Sequence, residues 1–130
     1  MNIVYPDYDR SILSTLAALT GYFGAPLAYP ALPELKPYLE TKPLHVMLLL
    51  LDGMGGWPLK NALPESSYLR AHEIATVTSI FPPTTAAATT AYYCGKSALE
   101  SGWLGWHLHM KEYAADIIAF KRSTYYTEKS

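Results

Sequence analysis

The sequence predicts an α/β domain whose sheet is covered on both faces. Two segments carry that prediction: an unbroken apolar run that stops at a carboxylate, and a β-branched stretch separated by two prolines from an alanine-rich helix. The first is Val46 to Met54, VMLLLLDGM. Four consecutive leucines without polar alternation fit a strand buried on both sides, as in parallel sheets. Asp52 then falls at the carboxyl end of that strand, where open α/β sheets place their ligands. A carboxylate beside a dry core is costly unless a cation or several donors compensate it. Gly53, Gly55 and Gly56 let the backbone turn sharply and approach whatever Asp52 holds. Taken alone, an LDG triplet is a turn aspartate closing a strand.

The second segment is Thr78 to Gly95, TSIFPPTTAAATTAYYCG. Ile74 to Ile80 alternates loosely and is rich in β-branched residues, which predicts another strand. Phe81-Pro82-Pro83 stops it, because proline cannot donate to a ladder and restrains the residue before it. Thr84-Thr85 opens an alanine-rich run of helical preference, and Gly95 is a natural stop. A hydroxyl in the first turn of a helix meets unsatisfied backbone N–H groups and the positive end of the macrodipole, the surroundings that bind phosphate. Local pattern alone makes Thr84 or Thr85 an N-cap.

The other elements follow the same logic. Ile12, Leu13, Leu16, Leu19, Tyr22 and Phe23 recur at helical spacing, with Asp9 or Ser11 as cap and Gly24 as stop. Residues 25–43 hold five prolines and predict an irregular arm with one short helical turn. Pro58 to Leu63 and Glu65 to Ala71 are candidate helical turns. Trp103 to His109 is a candidate extended segment, and Ala114 to Lys121 a strand with Ile117-Ile118-Ala119-Phe120 as its apolar part. The tail RSTYYTEKS is polar and aromatic, and looks like a cut.

In combination, LLLLDGMG and SIFPPTTAAATTAYYCG resemble the alkaline phosphatase superfamily, specifically its type I phosphodiesterase/nucleotide pyrophosphatase branch. The resemblance runs to about Phe120 and includes the opening YPDYDRSILSTLAALTGYFG. It implies a three-layer alkaline-phosphatase-like sheet with helices on both faces, incomplete in this chain. Residues 1–43 would form the helical and irregular lead-in, and residues 44–120 the core strands and nucleophile helix. The family pattern selects Thr85 over Thr84 as nucleophile and makes Asp52 a metal ligand shared with Thr85. Backbone at Gly53 and Ala86 would hold a phosphate oxygen. SALESGWLGW is similar to the family segment P-x-x-H-G-x-x-G but has Ala98 for the proline and Ser101 for the histidine, which touches local loop structure more than chemistry. Sulfatases and mutases of the superfamily set their nucleophile differently, so FPPT points to the diesterase branch.

These residue types suit the chemistry. A phosphodiester repels nucleophiles, so catalysis rests on charge neutralisation and in-line positioning. The family uses two divalent ions, zinc foremost with manganese or magnesium as alternatives, to activate the hydroxyl and then a water. The product of the first step is a phospho-enzyme on threonine. The family's further ligands are an Asp with a His about one turn later, an Asp-His pair and a final His. After Thr85 the chain offers only Asp116, His107, His109 and a few glutamates, with no Asp-His dipeptide. The expectation is therefore an amino-terminal part of a longer hydrolase acting on a small phosphodiester or nucleotide, the part alone being inactive. A non-catalytic phosphate- or nucleotide-binding module and an inactive remnant are the competing readings.

Composition narrows the classes. At 130 residues and 50% apolar content the chain can build one core. A net charge of −1 without a basic run argues against a nucleic-acid backbone footprint. The single Cys94 forms no internal disulfide and fits packing at the helix end. The amino terminus lacks the apolar core of a secretory signal. Residues 13–32 are too interrupted by Gly and Pro for a membrane span, so a cytoplasmic protein is expected. His107 and His109, on one face of a strand, could ligate a metal, although half-buried packing is the plainer role. His45 and His72 read as structural.

Overall fold

The computed structural model describes residues 4–118 and the backbone of residues 123–124. Its helices are α1 (Ile12–Tyr22), α2 (Lys36–Leu39), α3 (Gly56–Ala62), α4 (Tyr68–Ala71), α5 (Thr85–Cys94) and α6 (Ala98–Ser101). Its strands are β1 (His107–Met110), β2 (Ala115–Ile118) and β3 (Ser123–Thr124), with 3-10 turns at Pro33–Leu35 and Lys111–Tyr113. The chain thus mixes helices with a small sheet. That sheet is antiparallel in the order β1-β2-β3, with His107 across from Ile118 and His109 across from Asp116. No helix of the described residues is long and apolar enough to cross a membrane.

α1 forms because its first turn is closed from both ends. Ser11 accepts from the Leu13 N–H at 3.2 Å, and Ser14 Oγ accepts from the Ser11 N–H at 3.1 Å. This capping box satisfies donors that a helix start otherwise leaves open. Ser11, not Asp9, is therefore the cap. Leu13, Leu16, Ala17 and Ala18 then turn inward. α5 packs against α1 through small residues: Ala87 and Ala91 join Leu13, Ile80 and Ala98 in one buried cluster, with Tyr8, Ile12 and Tyr29 against it. Alanine at these positions permits close helix approach at no side-chain entropy cost. α5 ends where Gly95 takes φ +66° and its N–H returns to the Ala91 carbonyl at 2.8 Å. α6 repeats the capping-box device, with Ser97 and Glu100 reciprocally bonded.

Two sequence expectations fail in the centre of the chain. The run Val46–Leu51, predicted as a strand covered on both faces, joins no sheet among the described residues. From Met47 to Leu51 its side chains lie open, Met47 and Leu49 being 90% and 72% exposed. Periodicity reports that a segment is apolar throughout; it does not supply the neighbours that a strand needs. The stretch Ile74–Ile80 likewise shrinks to one parallel bridge, Ser11 to Thr78. Ile12 N donates to the Thr78 carbonyl at 3.0 Å, and Thr78 N to the Arg10 carbonyl at 3.1 Å. The ladder stops there because its partner turns into α1 at Ile12. The central parallel sheet is therefore not formed by these residues. In place of the strand predicted over Ala114–Lys121, β2 covers Ala115–Ile118, while Ala119 to Lys121 and most of the tail lie outside the described residues.

Candidate functional site

The apolar run ends in a tight turn in which the Met54 N–H returns to the Leu51 carbonyl at 3.3 Å. Gly53, at the third position, has φ +71°, a conformation that glycine adopts without the Cβ penalty of other residues. The turn lifts Asp52 off the end of the run. α5 begins on the other side of the same cleft. Thr84 has extended backbone angles, and its Oγ1 accepts from the Ala87 N–H at 3.3 Å. Thr84 is thus the N-cap, which leaves Thr85 as the first helical residue with its hydroxyl uncommitted to capping.

That hydroxyl faces Asp52. Thr85 Oγ1 lies 3.4 Å from both Asp52 Oδ1 and Asp52 Oδ2. Thirty-three positions apart in sequence, the two residues singled out by pattern share one site. A separation of 3.4 Å is long for an O–H···O bond, whose usual range is about 2.5–3.0 Å. It suits two oxygens on one cation: oxygen ligands at about 2.0–2.2 Å in a tetrahedron stand roughly 3.3–3.6 Å apart. By donor type and spacing, Asp52 and Thr85 fit one edge of a hard or borderline metal ion. They would supply two ligands, and no group of three or more His, Cys, Asp or Glu side chains able to hold a metal occurs among the described residues.

Helix starts leave their first N–H groups without intrahelical acceptors. Thr84 Oγ1 occupies that of Ala87, so the Thr85 and Ala86 amides are the ones that helix geometry leaves for an anion. Ala86 itself is buried at 3% exposure, which fixes this end of α5 against the core. Gly53, on the exposed turn, lines the cleft, whereas Ala86 does not.

The site opens into a cleft of about 890 Å³ between the apolar run, residues 75–79 and α5. One stripe of α5 lines it: Thr85, Ala88, Thr89 and Tyr92. The opposite stripe, Ala86, Ala87 and Ala91, is buried. Thr89 Oγ1 donates to the Thr85 carbonyl at 2.7 Å, and burial pushes the Tyr92 phenol above its ordinary pKa. Thr89 and Tyr92 escaped the sequence reading of the site, although their spacing of four and seven from Thr85 is the signal that would have found them. Ser101, at the position where the resembled segment carries histidine, ends α6 away from the cleft lining. His109 pairs with Asp116 on the hairpin instead. No protein-family model, curated protein or solved structure matches the chain.

Proposed function

We propose that this chain is the nucleophile-bearing, amino-terminal part of a three-layer alkaline-phosphatase-like domain. Its reaction is the metal-dependent hydrolysis of a small phosphodiester or nucleotide. The observation that supports this reading most is the 3.4 Å approach of Thr85 Oγ1 to both oxygens of Asp52. Thr85 Oγ1 lines the cleft beside Asp52, where phosphorus would arrive. Thr85 Oγ1 attacks in line, the Oγ1–P bond forms, and one ester oxygen leaves as the alcohol. The remaining alkyl- or aryl-phosphoryl group stays on Thr85 as a threonyl diester until water attacks phosphorus, breaks the Oγ1–P bond, releases the phosphomonoester and returns a proton to Oγ1. The Thr85 and Ala86 amides and the α5 dipole favour the anion held at the helix start. Two divalent ions, zinc by the resemblance with manganese or magnesium as alternatives, would supply charge neutralisation and hydroxyl activation when bound. Asp52 and Thr85 would hold one of them, and the resemblance calls for further ligands that these 130 residues do not offer in the family's pattern.

The test is made on the full-length native protein. Thr85→Ala is expected to lower turnover of bis(p-nitrophenyl) phosphate by about three orders of magnitude or more, with an unchanged far-UV circular dichroism spectrum. Asp52→Asn is expected to lower zinc content as well as turnover. Normal turnover in the first variant, or parental metal content in the second, refutes the respective role. The rival reading is a non-catalytic phosphate-binding module built on the same turn and helix start. Nucleotide binding that persists in a chelator would support that rival.

A further inference from the structure

The β1–β2 hairpin carries a second constellation, separate from the cleft. Alternate residues of a strand point to opposite sides. In β1, His107 and His109 are exposed, whereas Leu108 and Met110 are half-buried. Two imidazoles thus stand on one solvent face with their Cα atoms about 6.6–6.8 Å apart. Asp116 lies directly across from His109 in the ladder, and its Oδ1 is 2.8 Å from His109 Nδ1. An ionised carboxylate only accepts, so the neutral ring donates from Nδ1 and keeps its lone pair on Nε2. This carboxylate–imidazole arrangement orients metal-ligating histidines and raises their basicity. His107 has an interaction of its own. Ligation accommodates that, because an imidazole binds metal through one nitrogen and gives the other to a protein partner. Ile118, directly across from His107 on the same face, is buried and gives that imidazole an apolar neighbour.

We infer that His107 and His109 form a two-imidazole site for a transition-metal ion, with Asp116 as its positioning residue. Imidazole selects zinc, copper and nickel over magnesium and calcium. A cross-strand His–Asp pair alone accounts for the 2.8 Å contact but assigns no part to a second histidine on the same face.

The full chain is titrated with CuCl2 and with ZnCl2 in a non-coordinating buffer near neutral pH. Tryptophan fluorescence and calorimetry report binding, since Trp106 adjoins His107 and bound Cu(II) quenches it. The expected result is one saturable site per chain, tighter for Cu(II) than for Zn(II) and indifferent to excess MgCl2. His107→Ala and His109→Ala should each weaken binding by about tenfold or more, and Asp116→Asn by about 10–100-fold. The His45→Ala/His72→Ala variant should leave it unchanged, which separates this site from the other imidazoles. Linear, unsaturable quenching of the parent chain overturns the site without recourse to any variant. So does parental affinity in the His107→Ala/His109→Ala chain, and parental affinity in Asp116→Asn removes the positioning role.

Discussion

The helical cluster of α1, α5 and α6 and the stretch from Leu44 to Ile74 have similar apolar character and opposite fates. In the cluster, Leu13 and Ile80 are 1% and 0% exposed. In the stretch, leucine after leucine stays open, and α3 and α4 bury no residue. The difference lies in what each segment meets. α1 meets alanines of α5 that let two helices close, and its end is sealed by a serine pair. The leucine run meets no strand on either side among the described residues. Hydrophobicity selects the segments that can be buried, and complementary neighbours decide which of them are. The site is built on the seam: Thr85 belongs to the packed half, Asp52 to the open one.

The sharpest test of that contrast is a pair of leucines. Leu13→Ala is expected to destabilise the chain by about 2–5 kcal/mol in urea unfolding, while Leu49→Ala stays within about 0.5 kcal/mol. Equal costs would dissolve the comparison. Next in size is the seal on α1: Ser11→Ala should cost about 0.5–2 kcal/mol by removing the cap, and a neutral result would place the helix start elsewhere. At the end of α5, Gly95→Ala must hold an L residue in the left-handed region, at a cost of about 1–2 kcal/mol. Leu27, whose Cδ2 lies 2.7 Å from the added Cβ, can swing aside, so its displacement adds little.

The smallest effect concerns Glu100. The Tyr29 hydroxyl first, and Ser97 second, hold its carboxyl below the ordinary glutamate value. Its folded pKa is therefore below its unfolded one. The resulting stability is present above the unfolded value, near 4.5, and is lost as pH falls through the lower, folded value. Because the carboxylate is exposed, solvent screening keeps the effect small. Glu100→Gln should flatten this part of the acid limb of the urea midpoint; an unchanged slope would assign the limb to other groups.

Local chemistry was legible in the sequence wherever it was self-contained. The helix from Thr85 to Cys94 with its Gly95 stop and the helix from Ile12 with Ser11 among its caps follow from spacing and propensity, whereas the 3.4 Å approach of Asp52 to Thr85 joins segments far apart in sequence. The two predicted parallel strands did not form, because strand identity depends on neighbours that a single segment does not encode. The division of labour between Thr84 and Thr85 was open to local pattern, which allows either to cap. Backbone geometry decides it: Thr84 takes extended angles and the Ala87 amide, and Thr85 turns to the cleft. Tyr92 and Thr89 were passed over because aromatic and threonine content is high throughout the carboxyl half, and only the helical stride separates them from the rest.

The division between those threonines offers the most direct measurement. The full-length native protein is mixed with bis(p-nitrophenyl) phosphate and zinc, quenched in acid within a turnover, and mapped by peptide mass spectrometry. The account requires a nitrophenyl-phosphoryl adduct on Thr85, retained in Thr84→Ala and absent from Thr85→Ala. An adduct on Thr84, or undiminished turnover in Thr85→Ala, would contradict it.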